Sequence, residues 1–174
     1  MTHDPALVAF HGAAYRASPG DQPFEVDAIV SDDGDGDRWN RPGEPTIYLA
    51  LDPGVALAEA GRHMNDQEGT QGCQLLVSLE IRVDGLVDLR DAAVRRDLGI
   101  EGGPAAFLDR QRARELAGRL RRLPDCRGIL APSMALIDQP ARGNLVVFAE
   151  KLVNGPRDIV LGHEEVGRLE VLEG

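Results

Sequence analysis

The sequence has few cysteines and no long apolar run, and both shortages limit what the protein can be. Its 174 residues include only Cys73 and Cys126, far apart and without a CxxC pair. This usage is typical of free thiols in a reducing compartment rather than of a disulfide framework. The first residues carry no basic leader, and no apolar run approaches the about 20 residues that span a bilayer. We therefore expect a cytoplasmic protein with no membrane contact.

Positive charge is also scarce. The chain has 19 Lys and Arg against 29 Asp and Glu, which gives a formal net charge of −10. A chain with this balance repels the phosphates of nucleic acids and of anionic membranes, so we expect no direct nucleic-acid partner. An anionic small molecule remains compatible, because a few local arginines outweigh a more distant negative surface.

Three ligand-binding motifs are missing. No GxGxxG follows a strand, no GxxxxGK[ST] is present, and the four histidines show no HExxH spacing. The segment DGDGDRWNRPGE at 33–44 approaches a calcium loop, but Arg38 stands where the sharp turn needs Gly. We predict neither a metal nor a prosthetic group, and a nucleotide would not bind through those phosphate loops.

The remaining composition, 43% hydrophobic and 28% charged, predicts one globular domain over residues 1–174. We predict helices at 53–64, 91–98 and 104–123, a hairpin turn at Asp84-Gly85, and a mostly irregular segment at 18–44. The predicted strands cover residues 13–17, 46–51, 73–83, 86–89, 128–131 and 144–152, with edge strands at 159–161 and 168–172. Strands outnumber helices and do not alternate with them, which favours a mixed α+β domain.

The segment DRWNRPGEPTIYLALDPGVALAEAGRH at 37–63 concentrates residues suited to a ligand. Arg38 stands between an acid and the only Trp, and its forked guanidinium suits a phosphate or a carboxylate. Tyr48 alternates with apolar residues in a strand. Glu59 lies on an alanine-rich helix, where it needs a partner or a cleft. A surface arginine, a half-buried strand tyrosine and a solvent-facing glutamate are the alternatives.

Ser133 follows the apolar strand GILA in the segment GILAPSMA. Pro132 interrupts regular strand pairing there, which would let the serine end the strand beside a pocket. No GxSxG elbow surrounds it. An ordinary turn serine is therefore the alternative interpretation.

The order and spacing of these residues resemble the RES domain family. RWN-x-PG-x-P-x-x-YLA is followed, eleven residues after the tyrosine, by the glutamate of ALAE, and later by PS and GNLVVF. The resemblance covers about 15–152. It implies a fold similar to ADP-ribosyltransferases, with mixed, mostly antiparallel sheets and a few helices. It also implies a toxin of a bacterial toxin–antitoxin pair that degrades NAD⁺ at the nicotinamide–ribose bond by phosphorolysis.

The resemblance assigns a role to each matching position. Glu59 would stabilise the oxocarbenium-like ribose, Arg38 would hold the pyrophosphate or an attacking inorganic phosphate, and Tyr48 would orient the nicotinamide-ribose end. Ser133 would hydrogen-bond the nicotinamide side or the phosphate. The four are therefore the expected catalytic residues, and the expected NAD⁺-binding residues are Arg16, Arg38, Asn40 and Tyr48.

The resemblance also implies partners. These are NAD⁺ as substrate, inorganic phosphate as a co-substrate, and a cognate antitoxin of the helix-turn-helix type, with a homodimer or larger assembly compatible. Asp37 and Arg41 depart from the family pattern. They support one alternative, a catalytically silent nucleotide-binding or interaction module. A protein ADP-ribosyltransferase is a second alternative, because no residue of the sequence decides between phosphate, water and a protein side chain as the acceptor.

Replacing Glu59 tests the assigned chemistry. We expect Glu59→Gln to keep the fold and to lose nearly all NAD⁺ turnover, because one charge-stabilising contact is commonly worth about 10²–10³ in rate. Release of free nicotinamide measures the loss. Unchanged turnover in a pure, folded variant would remove Glu59 from the mechanism.

Overall fold

The computed structural model describes residues 4–31, 34–66 and 73–169, in which strands and helices form one mixed sheet with helices packed on it. The strands are β1 Val8–Pro19, β2 Val30–Ser31, β3 Thr46–Ala50, β4 Gln74–Asp88, β5 Gly128–Pro132, β6 Gly143–Phe148 and β7 Val160–Leu169. The α-helices are α1 Pro53–Asp66, α2 Ala92–Asp97 and α3 Arg110–Arg121. Short 3₁₀ helices cover Val26–Ile29, Gly103–Leu108, Ala149–Lys151 and Gly155–Asp158.

The sheet is mostly antiparallel, and β4 with β5 is its parallel pair. The strands follow the order β1-β3-β6-β5-β4-β7, with β2 on β3 and a further pairing of β1 with β4. These pairings close a ring of five strands: β1, β3, β6, β5 and β4. The α+β prediction is confirmed.

The pairing between β1 and β3 is the shortest in that ring. β1 runs along β4 for most of its length but meets β3 at one register pair, Tyr15 with Ala50. Towards its other end, β3 pairs with β2 at Thr46 and Ile47. The short stretch of β3 between these two contacts has neither strand beside it, so a gap opens between β1 and β3.

The sheet separates two large apolar cores, and a smaller cluster that includes Val55 and Ala56 packs α1 against Ala50 and Leu76. Leu145, Val147 and their neighbours fill the first core with Ile47 and Leu49 of β3. The alternate residues of the strands, such as Val146 and Phe148, face the second core on the other side of the sheet. Helix α3 and the 3₁₀ helix at Gly103–Leu108 cover this second core. Tyr48 packs at the edge of the second core, because side chains alternate between the faces of a strand.

Helix α1 is tied to the sheet at its first turn. The carboxylate of Asp52 accepts a hydrogen bond from the backbone N–H of Val55 at 3.0 Å, and Pro53 takes the first helical position. Arg142 donates to both oxygens of Asp52, at 2.6 and 3.0 Å. These hydrogen bonds hold the pKa of Asp52 below its usual value. The predicted helix at 53–64 is confirmed, and its start is fixed.

The predicted hairpin turn at Asp84-Gly85 is wrong. β4 runs through these residues without turning back, and both of its halves pair with the same strand, β1. Gly85 has a φ of 74°, and its carbonyl accepts a hydrogen bond from Arg127 N–H at 2.7 Å. The Asp-Gly pair therefore provides an irregularity within one long strand where β4 changes neighbours from β7 to β5.

The predicted helix at 104–123 is two elements. Asp109 is extended and separates the 3₁₀ helix Gly103–Leu108 from α3. Its carboxylate accepts from the backbone N–H groups of Gln111 and Arg112, at 2.9 and 3.3 Å, so it acts as the N-cap of α3. None of the helices in the described ranges is long and apolar enough to cross a membrane.

Three further boundaries differ from expectation. The irregular segment at 18–44 contains the 3₁₀ helix Val26–Ile29 and β2, although residues 32–33 lie outside the described chain. The strand predicted at 144–152 ends at Phe148. The two edge strands predicted near the end are one strand, β7, and residues 170–172 lie outside the described part.

Gly128 offers a test of the sheet. A Cβ there would collide with the carbonyl oxygen of Val146 on β6, whereas a Cβ on Gly162 of β7 would meet open space. We expect Gly128→Ala to lower the free energy of unfolding by about 1–3 kcal/mol through overpacking. Gly162→Ala, the matched control, should stay within about 0.5 kcal/mol of the wild type. Urea denaturation measures both, and equal effects would contradict the close approach of β5 and β6.

Candidate active site

A cavity of about 390 Å³ opens where β1 and β3 part. Elements that are distant in the chain form its wall: strands β1 to β6, the loop before β3 and helix α1. The residues that matter for its chemistry are Tyr15, Arg16, Arg38, Tyr48, Glu59 and Asn144. Arg38, Tyr48 and Glu59, three of the four residues expected to be catalytic, therefore share one cavity.

Glu59 projects from α1 towards the ends of β5 and β6. Its Oε1 accepts a hydrogen bond from the Ser133 hydroxyl at 2.7 Å and another from the Asn144 amide at 3.3 Å. The glutamate is half-buried and lines the cavity, so it does not take the solvent-facing alternative. Partial burial of a carboxylate requires such donors, because an unsatisfied charge in a site of this kind is costly.

Ser133 lies behind the cavity wall. It is fully buried, and the wall at this point is formed by its neighbours Pro132 and Met134. Its hydroxyl donates to Glu59 and accepts from the backbone N–H of Ala135 at 3.2 Å. In this structure Ser133 contacts Glu59 rather than the cavity, which differs from the expected contact with nicotinamide or phosphate.

Arg38 lies on the cavity wall, and hydrogen bonds to backbone carbonyls hold its side chain in place. It is 9% exposed, and its Nη1 donates to the carbonyls of Phe107 and Leu108 at 2.6 and 3.2 Å. These carbonyls end the 3₁₀ helix at Gly103–Leu108. Asp37, also on the wall, accepts from the backbone N–H of Arg38 at 2.7 Å. The guanidinium therefore joins the loop before β3 to the second core, in a fixed position beside the cavity.

Tyr48 holds the same loop from the other side. Its hydroxyl donates to Asn40 Oδ1 at 2.6 Å and accepts from the backbone N–H of Trp39 at 3.1 Å. Burial raises the pKa of Tyr48, and the negative charge of Asp37 adds to the rise. The phenol is therefore a neutral donor at physiological pH, with its ring on the cavity wall and its hydroxyl in the loop.

Asn40 lies inside the turn rather than on the wall. It is 2% exposed, and its Oδ1 also accepts from the backbone N–H of Asp37 at 3.0 Å. Its amide donates to the carbonyl of Arg41 at 3.2 Å. The side chain fixes the backbone of 37–41 around Arg38, so the structure does not place it where the expected contact with NAD⁺ would occur.

Arg16 is the second cation on the wall. It projects from β1 across the gap, and its Nη1 donates to the carbonyl of Tyr48 at 3.1 Å. That carbonyl belongs to the stretch of β3 that has neither β1 nor β2 beside it. Desolvation by burial lowers the pKa of Arg16, but a guanidinium stays charged at physiological pH.

The wall thus combines two arginines, Arg16 and Arg38, with two acids, Asp37 and Glu59. Such a set can bind an anionic group at one part of a ligand and stabilise positive charge at another. Within residues 4–31, 34–66 and 73–169, no group of three or more His, Cys, Asp and Glu side chains could hold a metal ion.

Asn144 was not expected at the site. It lies in the segment GNLVVF, and the resemblance to the RES domain family gives the asparagine no role. In the sequence, Asn144 is a polar residue whose alternation with Val146 and Phe148 places it on the same face of the strand. The structure shows both of these apolar residues fully buried. A buried-strand asparagine needs a partner, but the sequence does not say that the partner is Glu59, 85 residues away.

Removing the Tyr48 hydroxyl tests the loop anchor. We expect Tyr48→Phe to lower the free energy of unfolding at neutral pH by about 1–3 kcal/mol, because two hydrogen-bonding groups of the turn lose their partner. The unfolded chain releases the phenol proton of Tyr48 above a pH of about 10, whereas the folded protein keeps it because the pKa is raised. The contribution of Tyr48 to the free energy of unfolding of the wild type therefore decreases as the pH rises. The difference between the two proteins should therefore narrow in alkaline denaturation series. A difference that widens would contradict the buried, neutral phenol.

Known proteins share the fold of this chain. One structural relative is a chain of the crystal structure of the M. tuberculosis MbcT-MbcA toxin-antitoxin complex. The two chains are 18% identical, the match covers 92% of this chain and 86% of that one, and the TM-score is 0.65, which shows a shared fold. No curated protein matches the chain. The family model of the RES domain matches residues 13–166, which is most of the sequence, and the protein therefore belongs to the RES domain family.

Proposed function

We propose that this protein is the toxin of a toxin–antitoxin pair and that it degrades NAD⁺ by cleaving the nicotinamide–ribose bond. One observation carries the proposal: a carboxylate fixed by two hydrogen bonds lies on the wall of a cavity that also carries Arg16 and Arg38. Membership of the RES domain family supports the same conclusion. So does its structural relative, which is a chain of a toxin–antitoxin complex.

Glu59 suits the bond-breaking step. Nicotinamide is bound to ribose as a cation and leaves as a neutral molecule, so no strong general acid is needed. The ribose left behind resembles an oxocarbenium ion, and a carboxylate beside it stabilises charge that appears only near the transition state. Carboxylates of glycoside-cleaving enzymes play a comparable part. Glu59 would supply this stabilisation from its position on α1.

The two arginines suit the phosphates. A guanidinium donates in parallel to two oxygens, which fits the pyrophosphate of NAD⁺ or an attacking inorganic phosphate. Arg16 bridges the gap between β1 and β3, and Arg38 is fixed by the carbonyls of Phe107 and Leu108, so both cations are positioned before a ligand arrives. Placement of this kind lowers the entropy cost of binding. The ring of Tyr48 would contact the nicotinamide-ribose end.

Inorganic phosphate is the proposed acceptor. One of its oxygens would form a bond to C1 of the nicotinamide ribose while the bond from that carbon to nicotinamide breaks. The bonding pair leaves with the ring nitrogen, and the products are ADP-ribose-1″-phosphate and neutral nicotinamide. NAD⁺ is the substrate in this scheme, and no prosthetic group takes part.

An antitoxin would control the activity by covering the cavity. Two exposed apolar side chains near the site, Leu57 on α1 and Leu108 beside the carbonyl that holds Arg38, offer contacts for such a partner. We propose a partner with a helix-turn-helix region, which would carry any DNA contact that the acidic toxin disfavours. A homodimer or a larger toxin–antitoxin assembly fits the same scheme.

Product analysis tests the reaction and its acceptor. We expect the purified protein to release nicotinamide from NAD⁺, and added phosphate to accelerate release and to yield a product with the mass of ADP-ribose-1″-phosphate. Mass spectrometry distinguishes this product from ADP-ribose, which would indicate water as the acceptor. Labelled NAD⁺ added to a cell lysate is the control for transfer to proteins.

Two results would contradict the proposal. Absence of nicotinamide would favour a silent nucleotide-binding module. Label that appears on protein side chains, with no free phosphorylated product, would indicate an ADP-ribosyltransferase.

A further inference from the structure

Asn144 occupies a position that small neighbours leave open. On β6 it pairs with Ala50 of β3 on one side and Ala131 of β5 on the other. Both alanines are buried, at 5% and 0% exposure, and directly paired residues share a sheet face. Ser133 lies directly after the end of β5, two residues beyond Ala131. The asparagine therefore approaches Glu59 from β6, and the serine from the end of β5.

The two side chains bind the same atom. Ser133 Oγ lies 2.7 Å from Glu59 Oε1, and Asn144 Nδ2 lies 3.3 Å from it. Within the described chain, this is the only hydrogen bond that the side chain of Asn144 makes. The Ser133 hydroxyl is itself oriented, because it accepts from Ala135 N–H at 3.2 Å. One oxygen of the carboxylate is thus fixed by a donor from β6 and a donor from the residue that follows β5.

The chemical nature of these donors matters for the proposed reaction. A hydroxyl and an amide orient a carboxylate without cancelling its charge, whereas an arginine or a lysine in the same place would offset it. Stabilisation of an oxocarbenium-like ribose needs that charge at a defined position. Asn144 also lines the cavity, so it fixes the carboxylate on the side where a ligand would lie.

We infer that Asn144 is a positioning residue for cleavage of the nicotinamide–ribose bond: together with Ser133 it holds the Glu59 carboxylate in the orientation that the transition state requires. The inference rests on the proposed function. It extends that function by giving Ser133 an indirect role through Glu59 and by adding a residue from β6. Without the amide, Glu59 Oε1 would keep the Ser133 hydroxyl but lose its donor from β6, and the orientation of the carboxylate towards the cavity would change.

Asn144→Asp is the sharpest variant, since it keeps the shape of the side chain and replaces the donor by a second carboxylate facing Glu59 Oε1. We expect kcat for nicotinamide release to fall by up to about 10²-fold, the size of effect that a misplaced group produces. The KM for NAD⁺ should stay unchanged, because the residue acts through Glu59 and not on the substrate. Asn154→Asp is the matched control, since Asn154 also donates its amide to a carboxylate, that of exposed Asp158 at 2.9 Å.

A double-mutant cycle separates this role from a merely structural one. We expect Asn144→Ala to lower kcat in the wild type and to have no further effect in the Glu59→Gln background, because the carboxylate charge that Asn144 positions is then absent. Asn144→Ala also replaces Asn144→Asp if the added charge prevents folding, and thermal unfolding of each variant checks this.

The outcomes distinguish the inference from the function on which it depends. If the wild type releases no nicotinamide, the proposed function fails and the inference falls with it. If the wild type is active and folded Asn144→Asp matches it, the inference alone is wrong. A raised KM with unchanged kcat, or an equal loss in the Glu59→Gln background, would likewise overturn it by showing that Asn144 contacts the substrate directly.

Discussion

The hydrogen bonds from Ser133 and Asn144 to one oxygen of Glu59 join helix α1 to the ends of β5 and β6. The rest of the site is organised around this contact. Because β1 parts from β3 after a single register pair, α1 lies beside a gap, and the glutamate lines the cavity in that gap. The Asp52–Arg142 pair fixes the start of α1 and so limits where its later turns can lie.

The cavity wall is less negative than the chain as a whole, because Arg16 and Arg38 balance Asp37 and Glu59. A formal net charge of −10 disfavours an anionic ligand, yet the cavity carries Arg16 and Arg38. Both guanidinium groups donate to backbone carbonyls, Arg16 to Tyr48 and Arg38 to Phe107 and Leu108. Such anchoring keeps the cations in place in the absence of a ligand. The proposed reaction needs this combination, with cations for the phosphates and a carboxylate for the ribose.

The sequence predicted the features that depend on neighbouring residues. Asp52-Pro53 marked the start of α1, the alternation in TIYLAL placed Tyr48 opposite Ile47 and Leu49, and strand content indicated an α+β fold. Features that depend on contacts between residues distant in the chain could not be predicted from the sequence. The direction of Ser133 is set by a partner 74 residues away, and that of Asn144 by one 85 residues away. The hairpin prediction at Asp84-Gly85 was wrong because an Asp-Gly pair can also lie inside a strand at the point where that strand changes neighbours, as it does in β4.

The most direct test of the account is a crystal structure of the Glu59→Gln variant with intact NAD⁺. The account predicts the nicotinamide ribose between residue 59 and the ring of Tyr48, with the pyrophosphate within hydrogen-bonding distance of Arg16 or Arg38. NAD⁺ bound outside the cavity between β1 and β3, or with its adenosine end at residue 59, would contradict it.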